Sequence, residues 1–262
     1  MRSAIRIWAW TAIILLNAPI VVVAIMSVSA GAYLSFPPTG LSLQWYGSYF
    51  HSPRWMLATA NSLRLAVATV ALATPIGVLG SFGLMRGRFR FRRLTLLLVN
   101  TPLLLPGVVA AIGMYFFFAR LGMIGSFWSI LLAHVCLVVP VVVLSVNAAL
   151  ETFDQTLELA AAGLGANRWR SFWWVTRPLI QPGILTGMLF AFLLSFDELP
   201  VALFLTGTDG ATLPVRMWSN VRDEMDPTLA AVSTLLVGLC VAAIIGTQTL
   251  QRRGTRLTGS DP

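Results

Sequence analysis

Residues 151–172 read Glu151-Thr-Phe-Asp-Gln-Thr-Leu-Glu-Leu-Ala-Ala-Ala-Gly-Leu-Gly-Ala-Asn-Arg-Trp-Arg-Ser-Phe172, a long interval between two strongly apolar runs. Its pattern is that of a short amphipathic helix closed by glycine. Asp154 is placed to cap the start. Leu157, Ala160, Ala161 and Leu164 then recur at helical spacing, and Gly165 supplies the positive φ on which such helices end. A second helix is expected from Arg168 to Val175, stopping before Pro178 because the residue ahead of a proline is driven out of the α region.

Outward from this loop the chain becomes oily. Hydrophobic residues make up 57% and charged residues 11%, which leaves too few polar groups to coat a soluble globule of 262 residues. A helix crossing a ~30 Å hydrocarbon layer needs about 20 apolar residues, since each rises ~1.5 Å. Six stretches meet that length: Trp8 to Ala30, Asn61 to Met85, Leu94 to Ala119, Phe127 to Leu150, Gly183 to Leu205 and Leu229 to Leu250. The expected fold class is an all-α integral membrane protein. Arg2 and Arg6 ahead of the first apolar run resemble a secretory signal, but the run is longer than a signal core of about 7–15 residues and is read as a retained span.

The formal net charge of +8 comes with 18 basic residues that are all Arg. They are scattered between the apolar stretches rather than gathered on one face, so nucleic acid is not an expected partner. With both termini in the cytoplasm, Arg2, Arg6, Arg86, Arg88, Arg90, Arg92, Arg93, Arg168, Arg170, Arg177, Arg252, Arg253 and Arg256 fall inside. Only Arg54, Arg64, Arg120, Arg216 and Arg222 fall outside, the bias that sets topology. The absence of Lys excludes a Gly-Lys-Ser/Thr phosphate loop and a Schiff-base lysine, so the chain is not expected to be an enzyme and any ATP must be bound by another chain. No cofactor or metal is expected. Cys136 and Cys240 sit in apolar runs, and His51 and His134 stand apart from any metal-ligand spacing.

Outside the membrane, Leu41 to Trp55 carries Trp45, Tyr46, Tyr49, Phe50 and Trp55 and is expected to lie along the interface as an aromatic anchor. The segment 206–227 mixes Asp209, Arg216, Arg222, Asp223, Glu224 and Asp226; it reads either as a solvated loop or as a surface that docks a partner by charge. Pro102, Pro106 and Gly107 interrupt the third span, either as packing kinks or as a break lining a cavity. In the fifth span Asp197 and Glu198 are costly in lipid unless they face water or a partner. Pro200 withholds the donor that would have reached the carbonyl of Phe196. With Ser195 and Phe196, this stretch reads either as a substrate path or as a structural pair for an arginine elsewhere.

The loop resembles the EAA loop of binding-protein-dependent ABC importer permeases of type I, whose pattern is Glu-Ala-Ala, three residues, Gly, nine residues, then Ile-x-Leu-Pro. Ala160, Ala161 and Gly165 match, Val175 takes the Ile place and Pro178 the Pro place. Leu159 stands where the pattern has Glu, with Glu158 one residue early, and Arg177 stands where it has Leu. Asn61-Ser62, Pro102, Pro106, Pro182-Gly183-Ile184, the stretch Ser195 to Glu198 and Ser233-Thr234 extend the resemblance, which is nearest to spermidine/putrescine-type permeases. It implies a six-span subunit of the bacterial inner membrane. The implied partners are ATP-binding cassette subunits, a second permease subunit, a periplasmic substrate-binding protein and membrane lipid.

On that reading residues 1–56 form the first span and outer segment, 57–250 the permease module and 251–262 a cytoplasmic tail. Glu158, Ala160, Ala161, Gly165 and Arg168 would couple to the ATPase, and Ser195, Phe196, Asp197 and Glu198 would line the path. The cargo would be a polyamine or another small charged solute, although relatives of this shape handle iron, thiamine or aminophosphonates and Gly107 stands where many carry an acid. The alternative is an ion-coupled secondary carrier using Asp197 and Glu198.

Overall fold

The structure is a computed structural model that describes residues 2–87, 90–207 and 210–241. The expected end of the sixth span at Leu250, the tail 251–262, Arg88 and Asp209 lie outside the described residues. Twelve helices are named here in chain order. They are α1 (Arg2–Met26), α2 (Gln44–His51), α3 (Pro53–Arg86), α4 (Arg92–Leu104), α5 (Gly107–Arg120) and α6 (Phe127–Glu151), followed by α7 (Thr156–Gly163), α8 (Arg168–Ser171), α9 (Arg177–Phe196), α10 (Pro200–Leu205), α11 (Leu213–Ser219) and α12 (Thr228–Val241). They divide into two compact units, Leu57–Arg216 and Met1–Met56 with Met217–Pro262.

Among the described residues, four stretches are long and apolar enough to cross a bilayer: Ile5–Met26, Pro53–Arg86, Phe127–Glu151 and Arg168–Phe196. The bent pair α4 and α5 makes a fifth if taken as one span. The third span, read from Leu94 to Ala119 with an interruption at Pro102, Pro106 and Gly107, is broken there. Its two halves meet at 104°, because Leu105 is extended (φ −78°, ψ 137°) ahead of Pro106. At 13 and 14 residues, each half is too short to cross alone.

In the Leu57–Arg216 unit α6 is the central element, with Val138, Val142, Val143 and Val146 fully buried. Its main neighbour is α9, and glycine makes that approach possible. A methyl at Gly183 would stand 2.5 Å from Ala149 Cβ and 2.9 Å from the Ser145 carbonyl, and one at Gly187 would stand 3.2 Å from Val142 Cα. Small residues four apart thus bring two backbones together where lipid offers no hydrophobic drive for helix association. On the other side Gly77 of α3 receives Val142, whose Cγ1 is 2.5 Å from where a Cβ would be. The start of α3 is tied to the α10–α11 connection by Ser62 Oγ, which accepts from Leu213 N at 2.7 Å, and by Asn61 Nδ2, which donates to Ala211 O at 3.2 Å.

Two sequence expectations about α9 are corrected. The helix expected to stop before Pro178 runs on: α8 passes through a π-helical turn, Phe172–Thr176, directly into α9. The wider turn lets the ladder open where Pro178 has no N–H and would clash with the carbonyl four residues back. The fifth span accordingly begins well before Gly183 and ends at Phe196, so Asp197 and Glu198 occupy a break between α9 and α10 instead of a helical turn.

In the other unit α1 leads into a strap closed by Ala30 N to Gly40 O (2.9 Å) and Ser42 N to Val28 O (2.8 Å). The aromatic segment forms α2 and the start of α3, and its rings find partners within this unit. Tyr46 shares a 2.8 Å hydrogen bond with Ser27, Trp45 Nε1 donates to Ser29 O at 2.9 Å, and Tyr49 and Trp55 are buried edge to face. The polar tips of the rings are thus paired while their apolar bodies pack. The second span starts at Pro53 rather than Asn61. Asp226 accepts from Thr228 N at 2.9 Å and so caps α12.

Candidate functional site

Two clusters within Leu57–Arg216 gather the chemistry. The first is the α6–α9 connection. Asp154 Oδ1 accepts from Thr156 N at 2.9 Å, α7 follows, and Gly165 turns the chain at φ +88°. Asn167 Oδ1 then accepts from Arg170 N at 2.8 Å and starts α8. These are local devices, and they fall on the residues whose types announce them.

Glu158 turns inward. It receives both guanidinium nitrogens of Arg86, at 2.7 and 2.9 Å, and the hydroxyl of Thr176. Arg86 itself lies 4.8 Å over the Phe82 ring. Partial burial alone would push the Glu158 carboxyl up, but the Arg86 and Thr176 hydrogen bonds and the Arg86 charge outweigh it and hold the group below the usual carboxylate range. One side chain of α7 thereby joins the end of α3 to the π turn before α9, beside a cleft of about 660 Å³ lined by Phe82, Gln155, Leu159 and Arg168 among others.

The rest of α7 faces away from the chain's own core. Ala160, Gly165 and Arg168 are exposed and Ala161 is half-buried. Leu159 (72%), Leu164 (91%) and Trp174 (82%) are exposed apolar groups in the same connection. Leu164 and Trp174 border one cleft of about 240 Å³, and clustered exposed apolar groups are a feature of contact sites.

The second cluster is the break after α9. Glu198 accepts backbone N–H bonds from Val201 (2.9 Å) and Ala202 (3.0 Å), so it supplies the donors' partner at the start of α10 that Pro200 cannot influence. Its Oε2 lies 3.7 Å from His134 Nε2 on α6, too far for a hydrogen bond. His134 Nδ1 is 2.9 Å from Ser195 Oγ, and Ser195 Oγ donates to Thr69 Oγ1 of α3 at 3.3 Å. A cavity of about 200 Å³ opens onto His134, Ser195 and Glu198, with Pro102, Leu103, Leu137, Val138 and Leu194 as its other walls. Of the expected path residues, Ser195 and Glu198 are brought together; Phe196 stacks on Phe192 and Asp197 is exposed.

His134 and Thr69 were missed by sequence reasoning. They lie 61 and 126 residues from Ser195, so no spacing could announce them. The one available signal was a lone histidine in an otherwise apolar span. Among the described residues no three of His, Cys, Asp and Glu gather as a metal site would require.

The family model of the binding-protein-dependent transport system inner membrane component matches residues 73–256, across both clusters. The chain belongs to that family. It is 30% identical over 243 residues to the spermidine/putrescine transport system permease protein PotC of Shigella flexneri, covering 93% of this chain and 92% of PotC. It is 32% identical over 230 residues to the putrescine transport system permease protein PotI of Escherichia coli (strain K12), covering 85% and 82%. Among solved structures, a bacterial ABC transporter involved in the import of the acidic polysaccharide alginate superposes with a TM-score of 0.73 at 18% identity over 95% of this chain and 94% of that one. The fold is thus that of a type I ABC importer permease, and the protein is an inner-membrane permease subunit.

Proposed function

We propose that this permease carries polyamines, or another small charged solute of the same kind, by alternating access driven by ATP on separate subunits. The observation that carries the reading is the polar cluster at the α9–α10 break: a carboxylate, a buried histidine and a cavity with otherwise apolar walls, in a chain similar to PotC and PotI along most of its length. The alginate transporter shares the fold, so the fold alone does not select cargo. A carboxylate bordering the cavity favours a cation.

In this reading the chain makes six spans, the apolar run Leu229 to Leu250 being the last, and both termini lie in the cytoplasm. Residues 57–250 act as the transport module. The exposed apolar surface of the α6–α9 connection seats an ATP-binding cassette subunit, with Ala160, Ala161, Gly165 and Arg168 at the contact and Glu158 holding the helix in place. A second permease subunit completes the pore, and a periplasmic binding protein delivers solute near Ser195, Phe196, Asp197 and Glu198. The ATPase can shift the two access states only through contacts that differ between them.

The test is ATP-dependent uptake of labelled putrescine into proteoliposomes that hold the full set of subunits. Uptake is expected with the native chain and is expected to fall by at least ~10-fold in the Asp197→Asn, Glu198→Gln double variant. Unchanged uptake in that variant removes both acids from the path, and uptake without ATP removes the coupling.

A further inference from the structure

Arg177 stands where the loop pattern has Leu, and the fold gives it an aromatic partner. Its guanidinium lies 4.8 Å over the ring of Trp173, and Trp173 meets Trp169 edge to face at 5.7 Å. The three side chains follow one another at four-residue steps and form an exposed stripe along the helix Arg168–Phe196. One face of the guanidinium rests on the indole, and the N–H groups around its edge point elsewhere. Among the described residues no carboxylate lies within ion-pair distance of Arg168, Arg170 or Arg177, because Glu158 is taken by Arg86 and Asp154 by the start of α7. Depth is set by length. The 20 residues of α9 cover about 30 Å, the thickness of the hydrocarbon layer. With Phe196 at one edge, Arg177 falls at the other and Trp173 about 6 Å beyond it, within the headgroup layer.

We propose that the stripe Trp169, Trp173 and Arg177 docks the phosphodiester headgroup of an anionic phospholipid in the leaflet on the α7 side. A guanidinium meets two phosphate oxygens at once through paired N–H groups. Indole rings favour this depth, since each has an apolar body for the acyl boundary and an N–H donor for the headgroup. The stripe holds donors and no acceptor side chain, so it selects an anion. A zwitterionic lipid also carries a phosphate, but its ammonium meets the uncompensated charge of Arg168 and Arg170 at the same end of the helix. The exposed apolar groups given to the ATP-binding subunit, Leu159 and Leu164, belong to α7 and its glycine turn. Arg177 lies past the π turn and already at the hydrocarbon edge, where a lipid reaches and a soluble ATPase does not. The inference is independent of the cargo.

The experiment uses the assembled transporter in nanodiscs with 5-fluorotryptophan in this chain alone. Trp169→Phe and Trp173→Phe identify the two resonances, and the lipid runs from pure phosphatidylcholine to rising fractions of phosphatidylglycerol with the same acyl chains. Both resonances are expected to move with the phosphatidylglycerol fraction. Arg177→Leu, which restores the residue of the loop pattern, is expected to need about 5-fold more phosphatidylglycerol to reach the half-way point. Arg177→Gln carries the same expectation if the Leu variant does not assemble. Inorganic phosphate added to phosphatidylcholine discs is expected to leave both resonances in place.

The proposal is overturned if phosphatidylglycerol and phosphatidylcholine discs give the same spectrum, if the Arg177 variants respond to phosphatidylglycerol as the native chain does, or if inorganic phosphate moves the resonances equally. It is also overturned if the two resonances answer to removal of the ATP-binding subunit and not to lipid, since the stripe is then a contact between proteins.

Discussion

Glu158 and Glu198 stand near opposite ends of the continuous helix Arg168–Phe196, and both are partly covered, with side chains 22% and 12% exposed. Around Glu158 every strong group is answered: a bidentate guanidinium meets a carboxylate, and a hydroxyl fills a remaining lone pair. Around Glu198 the backbone answers the carboxylate, but the imidazole beside it keeps an open nitrogen. A closed set of donors and acceptors holds elements in place, whereas the second set leaves one polar atom unanswered beside a cavity. Charge alone would not have separated the two roles.

The contrast breaks most readily at Arg86. Arg86→Ala leaves the Glu158 carboxylate half-covered with Thr176 as its remaining partner, and a loss of about 2 kcal/mol in stability is expected from thermal unfolding in detergent. The charge-reversed pair Arg86→Glu, Glu158→Arg should recover part of that loss, and no recovery would mean that the contact is incidental.

A smaller effect is expected with pH. The Glu158 carboxyl is held below its ordinary value of 4.5 in the folded chain. Its contribution is therefore present above that value and is lost as pH falls through the folded value. The difference in melting temperature between the native chain and Glu158→Gln should be constant near neutrality and shrink below the ordinary carboxylate range. A difference that grows on acidification would reverse the sign of the argument. The smallest effect belongs to Asp197→Asn, an exposed change expected to alter stability by no more than about 0.5 kcal/mol whatever it does to uptake.

What could be read in advance follows the range of each interaction. Asp154, Gly165 and the Leu105-Pro106 bend act within a few residues of themselves, and the chain shows them openly. The spans were legible as oil, but their ends were not: Pro53, Pro178 and Phe196 obey tertiary packing that hydropathy does not register. Ser195 and Glu198 could be suspected as polar groups in an apolar run. Their partners could not, because Thr69 and His134 arrive from α3 and α6 through contacts that only the fold creates. Glu158 was singled out as a coupling residue, but its inward turn was not legible, because it depends on Arg86, 72 residues away.

The π turn at Phe172–Thr176 has a mechanical meaning of its own. A helix that accommodates one surplus residue there holds a twist of about 100° relative to a regular spiral. Removing a single residue from that turn would restore the regular winding, and the aromatic cluster of Trp169 upstream would swing around the axis while everything from Arg177 onward stayed put. This short stretch is thus a dial set between the α7 region and the long rod that carries Ser195.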